Sequence, residues 1–241
     1  MPWFPSIAER DHFIQNPTSP DKIRLLGSYL RLDPSSRVLD VACGQAGPAI
    51  VLAETFGCHV LAVERFPQFV RAGRERIVSS SLEGLIDIVQ ADARDFTYDD
   101  EAFDAALCLG ASFVWNGLEG ALEALTPAVP ADGHVIVGEP FWQRWPLPSG
   151  VDDEGFTALS GIAERFQEAG LRLTGLIASS EEDWDRYESL HWRAVEDWLA
   201  TNPADPDAPE IRRIHQDFLD RYVGFQRGAL GWAIVIGRKG R

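Results

Sequence analysis

Val38-Leu39-Asp40-Val41-Ala42-Cys43-Gly44-Gln45-Ala46-Gly47 is the stretch whose reading decides the fold. An apolar run ends on a carboxylate, a turn of small residues follows, and Pro48 then opens a helix as a favoured first-turn residue. Small residues in such a turn let a ligand approach the backbone closely. The helix that follows turns free N–H groups toward an anionic group.

Working outward, the same alternation recurs. Strands are expected at Arg37–Val41, Val60–Glu64, Ile86–Gln90, Phe103–Leu109 and His134–Val137, all short and apolar. Helices are expected at Phe69–Ser79, Leu118–Leu125 and Thr157–Ala169, the last stopped by Gly170. Strands that alternate with helices and are buried on both faces make a parallel sheet. Two short helices, Ile7–Ile14 and Asp21–Leu30, precede the first strand, with Asn16-Pro17 as a breaker between them. Leu171–Ile177 and Gly231–Ile236 complete the strands, and their hairpin-like pairing places an antiparallel strand at the sheet edge. Between them lies a Trp-rich insertion. Trp184, Tyr187, His191, Val195 and Trp198 share one face of its first helix, and Ile211, Ile214, Phe218 and Tyr222 one face of its second. Asp207 and Glu210 have the spacing of a capping box. The expected fold is therefore α/β, a Rossmann-like open sheet, mostly parallel, with helices on both faces. Residues 1–241 form a single domain, with 1–33 as an N-terminal helical cap and 181–228 as a helical lid insertion.

Composition narrows the function classes. Hydrophobic residues make up 45%, enough for a packed core. No apolar run reaches the length of a membrane span, and the first residues have no signal-peptide pattern. Cys43, Cys58 and Cys108 form no CxxC pair, so neither a zinc site nor a disulfide framework is expected, and no metal ligands are assigned. A cytoplasmic protein is the default reading. The net charge of -15 would repel a nucleic-acid duplex. The local cluster of Arg65, Arg71, Arg74 and Arg76 reads as the solvated face of a helix.

The glycine-rich stretch resembles the cofactor motif of class I S-adenosylmethionine-dependent methyltransferases. The resemblance covers residues 35–140 well and the later strands loosely. It implies that Asp40 holds the positively charged amino-acid end of the cofactor and that Gly44 is the motif's central glycine, with Ala42 and Gln45 beside it. Ala42 and Ala46 stand where the family more often has glycine. Alanine is tolerated there if φ is negative. Glu64, ending the second strand, matches the acidic residue that takes a ribose hydroxyl pair, and Arg65 follows it. Asp92 and Ala93, after the third strand, match the adenine contacts, and Leu109 and Gly110, after the fourth, the backbone lining. A nicotinamide dehydrogenase would want G-x-G-x-x-G directly after the strand and no carboxylate facing a pyrophosphate; here Asp40 precedes the turn.

On this reading the function is transfer of a methyl group from S-adenosyl-L-methionine to a small-molecule acceptor by in-line displacement. A lipid-modifying, cyclopropane-forming enzyme and a non-catalytic cofactor-binding module are the alternatives. Ligands in open α/β sheets sit at the carboxyl ends of strands. That places Ser112–Asn116 and Glu139–Trp142 near the reacting methyl. Glu139 and His191 are the candidate catalytic groups. For Glu139, a base, a binder of a cationic acceptor and a strand-end charge all remain open; for His191, a catalytic and a structural role do. Trp115, Trp142, Tyr187 and Trp192 are the candidate acceptor contacts. Trp3, Phe4 and Phe13 are candidates to cover the cofactor. His12, His59, His134 and His215 have no supporting constellation in the sequence.

Overall fold

In a computed structural model, residues 4–144, 146–147 and 153–240 are described. In chain order the elements are α1 (Phe4–Ala8), α2 (Pro20–Leu30), β1 (Arg37–Val41), α3 (Gly47–Phe56), β2 (His59–Glu64), α4 (Pro67–Ser79), β3 (Ile86–Gln90), β4 (Ala105–Leu109), α5 (Leu118–Leu125), β5 (His134–Trp142), α6 (Leu159–Glu168), β6 (Leu171–Ala178), α7 (Glu181–Thr201), α8 (Ala208–Gly224) and β7 (Leu230–Lys239).

The strands form one sheet in the order β3-β2-β1-β4-β5-β7-β6. All pairings among the first five are parallel. β7 runs antiparallel to both β5 and β6, so the antiparallel pairing stands at the sheet edge with β6 outermost. The chain winds from β1 outward through β2 and β3, then returns to β4 on the other side of β1. Their carboxyl ends diverge at that switch point and open a cleft, the usual ligand position in such sheets.

Side-chain alternation sends each strand's residues to two separate cores. Val38, Val60, Leu107, Ile136 and Ile234 face α2, α3 and α4. Leu39, Val63, Ala106, Val135, Val137 and Val235 face α5 and α6. Each fully buried aliphatic side chain contributes about 1.5–3 kcal/mol, so both layers are held firmly against the sheet.

Several boundaries differ from the expectations. The first helix stops at Ala8. The chain beyond it runs as an irregular strap, and the carbonyl of Phe13 accepts a hydrogen bond from Arg76. Arg76 is thus drawn off the solvated face assigned to it. β4 begins at Ala105, because the N–H of Phe103 is bonded to Ala128 instead of a ladder partner. β5 runs five residues beyond Val137 because β7 pairs with it throughout, from His134↔Arg238 to Trp142↔Leu230. Asp207 makes no side-chain cap: its φ of -90 and ψ of -8 are helical, whereas a capping side chain reaches the first amides from an extended backbone. The capping box forms at Ser180 and Asp183, at the start of α7. Trp3 lies outside the described residues.

The insertion docks on the N-terminal segment. Ile7 and Ala8 pack with Val195, Leu199 and Ile211. Arg186 donates to the Thr18 carbonyl, and Lys22 pairs with the buried Asp183. Burial works against the Asp183 carboxylate. Lys22, Ser180 and Arg186 more than reverse that and hold its pKa at about 2, against 3.8 ordinarily. A depressed carboxylate pKa is stability present above the unfolded value and lost as pH falls through the folded one. Asp183→Ala is therefore expected to cost about 2 kcal/mol at neutral pH. The gap to the wild type should narrow as pH falls from 3.8 to about 2. Urea unfolding across that range checks this, and a pH-independent gap would contradict it.

Candidate functional site

The cleft over the carboxyl ends of β1, β2, β3 and β4 has a volume of about 560 Å³. It is lined by Asp40, Ala42 and Gly44 from the β1 turn, Glu64 and Arg65 from the end of β2, Asp92 and Ala93 after β3, and Leu109 and Gly110 after β4. These are all but one of the expected cofactor residues. Gln45 lies elsewhere. It is buried, its N–H donates to Gln15 Oε1 at 2.7 Å, and its side-chain amide donates to the Glu9 carbonyl at 2.8 Å. It ties the turn to the N-terminal strap.

The turn is tighter than expected. Ala42, Gly44 and Ala46 have φ of 53, 58 and 61, all in the left-handed region. The condition for tolerating alanine there, a negative φ, is thus met at neither position, and each carries a steric cost of about 1–2 kcal/mol. Gly44 is also crowded: a Cβ there would lie 2.0 Å from Gln15 Oε1. Gly110 repeats the arrangement with φ of 77, and a Cβ would meet Asn16 Oδ1 at 2.0 Å. Asn16 donates in turn to the Leu109 carbonyl. One five-residue strap, Phe13–Pro17, therefore lies against the β1 and β4 turns alike and lines the cleft. Of the strap, the sequence marks Phe13, a candidate cofactor cover that does line the cleft, and the Asn16-Pro17 breaker.

Three of the four carboxylates on the described cleft wall end or follow strands, and their surroundings are distinct. Asp40 is buried, Oδ2 has no hydrogen-bond partner, and burial with the like charge of Glu64 pushes its pKa up to about 7. Glu64 accepts the Gly44 N–H at 3.0 Å and the Phe66 N–H at 2.7 Å. Burial still raises its pKa against those bonds. Asp92 is bound by the Arg94 guanidinium and backbone N–H, with Arg65 at 3.5 Å, and lies well below the usual carboxylate range.

The acceptor-side expectations fare less well. Tyr187 lines the cleft, with Trp184 beside it on α7 and Phe113, Val114 and Asn116 opposite. Glu139 does not. Because β5 continues past Val137, the two-residue alternation turns Glu139 to the α5–α6 face and gives the cleft Pro140. There Glu139 is buried, and its pKa is pushed up to about 7 with a Ser112 hydrogen bond opposing. Trp142 is sealed against Phe156 and Phe225 and donates to the Asp153 carbonyl. The 3-10 turn Ser112–Trp115 points Trp115 into the packing of α5 and leaves Phe113 exposed. Trp192 packs edge-on against Tyr222. His191 stands behind the wall, its Nε2 2.8 Å from Glu9 Oε1 and its ring against those of Tyr187 and His12. Burial opposes its charge, but Glu188 and Glu9 carry the pKa up to about 9. His12, without support in the sequence, is 1% exposed and belongs to the same cluster. Nothing in the local sequence marks Glu9 or Gln15, and Asn16 is marked only as a breaker, not as a cleft residue.

Comparison with known proteins agrees with the geometry. Residues 38–133 match the family described as a methyltransferase domain. The chain is 27% identical to the Escherichia coli protein YjhP over 236 residues, 95% of each chain. It is 27% identical to a sarcosine/dimethylglycine N-methyltransferase of Halorhodospira halochloris, covering 87% of this chain and 77% of that one. A SAM-dependent methyltransferase from Geobacter sulfurreducens, solved with S-adenosyl-L-homocysteine, superposes with a TM-score of 0.92 at 27% identity, covering 100% of this chain and 99% of that one.

The strained turn makes a prediction. Ala42→Gly relieves the left-handed cost but adds unfolded-state entropy of about 0.4–1 kcal/mol. The unfolding free energy should rise by up to about 1.6 kcal/mol. A lower urea midpoint in the variant would contradict the strain.

Proposed function

We propose that this chain is an S-adenosylmethionine-dependent methyltransferase, a reading supported by the family match over residues 38–133 and by the whole-length likeness to the Geobacter sulfurreducens enzyme, and that it transfers the sulfonium methyl to a small-molecule acceptor by in-line displacement. The observation that carries this is a single cavity whose one side is the β1–β4 carboxylate and glycine wall and whose other side is aromatic. Its volume falls within the range of small-molecule sites. In this reading Asp40 receives the charged amino-acid end of the cofactor, Glu64 the ribose and Asp92 the adenine side. The backbone at Ala42, Gly44, Ala93, Leu109 and Gly110 approaches the cofactor closely, and Arg65 closes the adenosine end.

The acceptor lies between Phe113–Asn116 and the Trp184–Tyr187 face of α7. Holding nucleophile, methyl and sulfur in line supplies much of the acceleration. A base is needed only for a nucleophile that carries a proton at the working pH. Glu139 and His191 lie outside the cleft, so among the described residues the titratable groups on the acceptor side are Glu9 and Tyr187, whose hydroxyl donates to Glu9. Glu9, Asp40, Glu64 and Asp92 outnumber Arg65 and Arg94 in the wall, which favours a neutral or cationic acceptor over a polyanion. With a net charge of -15, nucleic acid is a poor substrate.

The cofactor assignment has a pH signature. With its pKa near 7, Asp40 is largely neutral in mildly acidic solution and ionises above it. A cationic ligand group favours the ionised form. Calorimetry with S-adenosyl-L-homocysteine should show affinity rising as pH increases through about 7. Asp40→Asn should bind at least about 10-fold more weakly, with that slope gone. Unchanged affinity in the variant would remove Asp40 from the cofactor site.

The acceptor side is tested separately. His191→Ala should keep cofactor affinity within a few-fold and lower thermal stability, because it removes a buried partner of Glu9. Phe113→Ala and Trp184→Ala should leave cofactor affinity intact and reduce turnover in a screen of small-metabolite pools with labelled cofactor. Salt-sensitive nucleic-acid binding in a gel-shift assay would overturn the small-molecule reading.

A further inference from the structure

Behind the cleft wall, the strap after α1 and the middle of α7 bring Glu9, His12 and His191 together, with their ligand-type atoms all within 4.8 Å of one another. His12 Nε2 is 2.9 Å from the Tyr187 carbonyl oxygen. A carbonyl can only accept, so Nε2 carries the hydrogen and Nδ1 carries a lone pair. That Nδ1 lies 3.5 Å from Glu9 Oε2. Both atoms are buried, and neither has a hydrogen-bond partner. Two lone-pair atoms thus face each other in the interior, an arrangement that folding tolerates poorly unless something positive sits between them.

The other half of the cluster has the same design. His191 Nε2 is 2.8 Å from Glu9 Oε1, while its Nδ1 faces Glu188 Oε2 at 3.7 Å. Each imidazole therefore presents one nitrogen to Glu9 and the opposite nitrogen to an oxygen acceptor. Metal-ligating histidines are oriented in this way, the outer acceptor fixing the tautomer and ring direction. The nitrogen–oxygen separations of 2.8 and 3.5 Å bracket the ~3.3 Å between neighbouring ligands of a tetrahedral ion with bonds of about 2.0–2.1 Å.

We propose that Glu9, His12 and His191 form a binding site for one divalent transition-metal ion of the zinc class. Two imidazoles and a carboxylate suit Zn2+ better than Mg2+ or Ca2+, which prefer oxygen alone. On binding, the proton between His191 Nε2 and Glu9 leaves to solvent and the nitrogen lone pair takes the metal. His12 Nδ1 and Glu9 coordinate as they stand. Tyr187 keeps its hydrogen bond to the carboxylate. Three protein ligands leave a position open, and Glu9 and Tyr187 belong to the cleft wall. The ion would pin the N-terminal strap to α7 beside the acceptor. This site stands independently of which molecule is methylated.

The test uses the full chain, stripped with a chelator and titrated with ZnCl2 against a chromophoric competitor. The expected result is one ion per chain at micromolar affinity or tighter, with a higher melting temperature. His12→Gln and His191→Gln should each weaken binding on the order of 100-fold, whereas His215→Gln, which pairs with Glu196 and is not one of the three clustered ligands, should not. Co2+ provides a reading on the wild type alone, through the ligand-field bands of a tetrahedral site, so the proposal does not depend on the variants folding. Absence of saturable Zn2+ binding below about 100 μM, absence of the Co2+ bands, or unchanged affinity in both folded variants would each overturn the site and leave a proton as what Glu9 and His12 share.

Discussion

Parallel strands that end at one edge concentrate their terminal charges in a small, dry volume, and the rest of this structure is arranged around that constraint. Asp40 and Glu64 end adjacent buried strands. Glu64 is satisfied by two backbone N–H groups, one of them from the turn that follows Asp40. That bond closes the β1 turn onto β2 and leaves Asp40 with an unpartnered oxygen in the cleft wall. A buried carboxylate without a partner is costly. Its retention at the mouth of a cavity is the kind of local sacrifice that ligand sites make.

The same economy shapes the turn. Three residues with positive φ within five positions bring the backbone into a curve that two alanines adopt only under strain. The strap at Phe13–Pro17 covers that curve and the Gly110 turn with side-chain amides. The strap is held in turn by Gln45, by Arg76 and, through the cluster at Glu9, by α7. The N-terminal cap and the insertion thus form one wall, fastened by a buried polar cluster and by the Lys22–Asp183 pair. A chemical change in the cluster would be felt at Tyr187, which touches both the cluster and the cleft.

Legibility divided along sequence distance. The carboxylate-turn-helix unit, the acidic end of β2 and the Asp92 turn each announce themselves within a few residues, because their geometry comes from local backbone and side-chain size. Glu139 and Trp142 were misplaced for a definite reason. Their positions depend on how far β5 extends, and the partner that extends it, β7, lies some ninety residues later in the chain, from Leu230 to Lys239. A strand ending at Val137 would have released both into the cleft mouth; a strand ending at Trp142 commits them to its two faces.

What the sequence determined by itself was the sheet's entry, its largely parallel character and the chemistry at the strand ends, since hydrophobic alternation and small-residue turns are local properties. What only the tertiary structure decided was the rest of the cleft: which face Glu139 takes, which aromatics reach the cleft, and the meeting of Glu9, His12 and His191. No local pattern connects a strap at residues 9–17 to a helix beginning at residue 181. They meet because Ile7, Ala8, Val195, Leu199 and Ile211 bury one another, and apolar burial is non-directional, so it selects a partner only once the whole chain has folded.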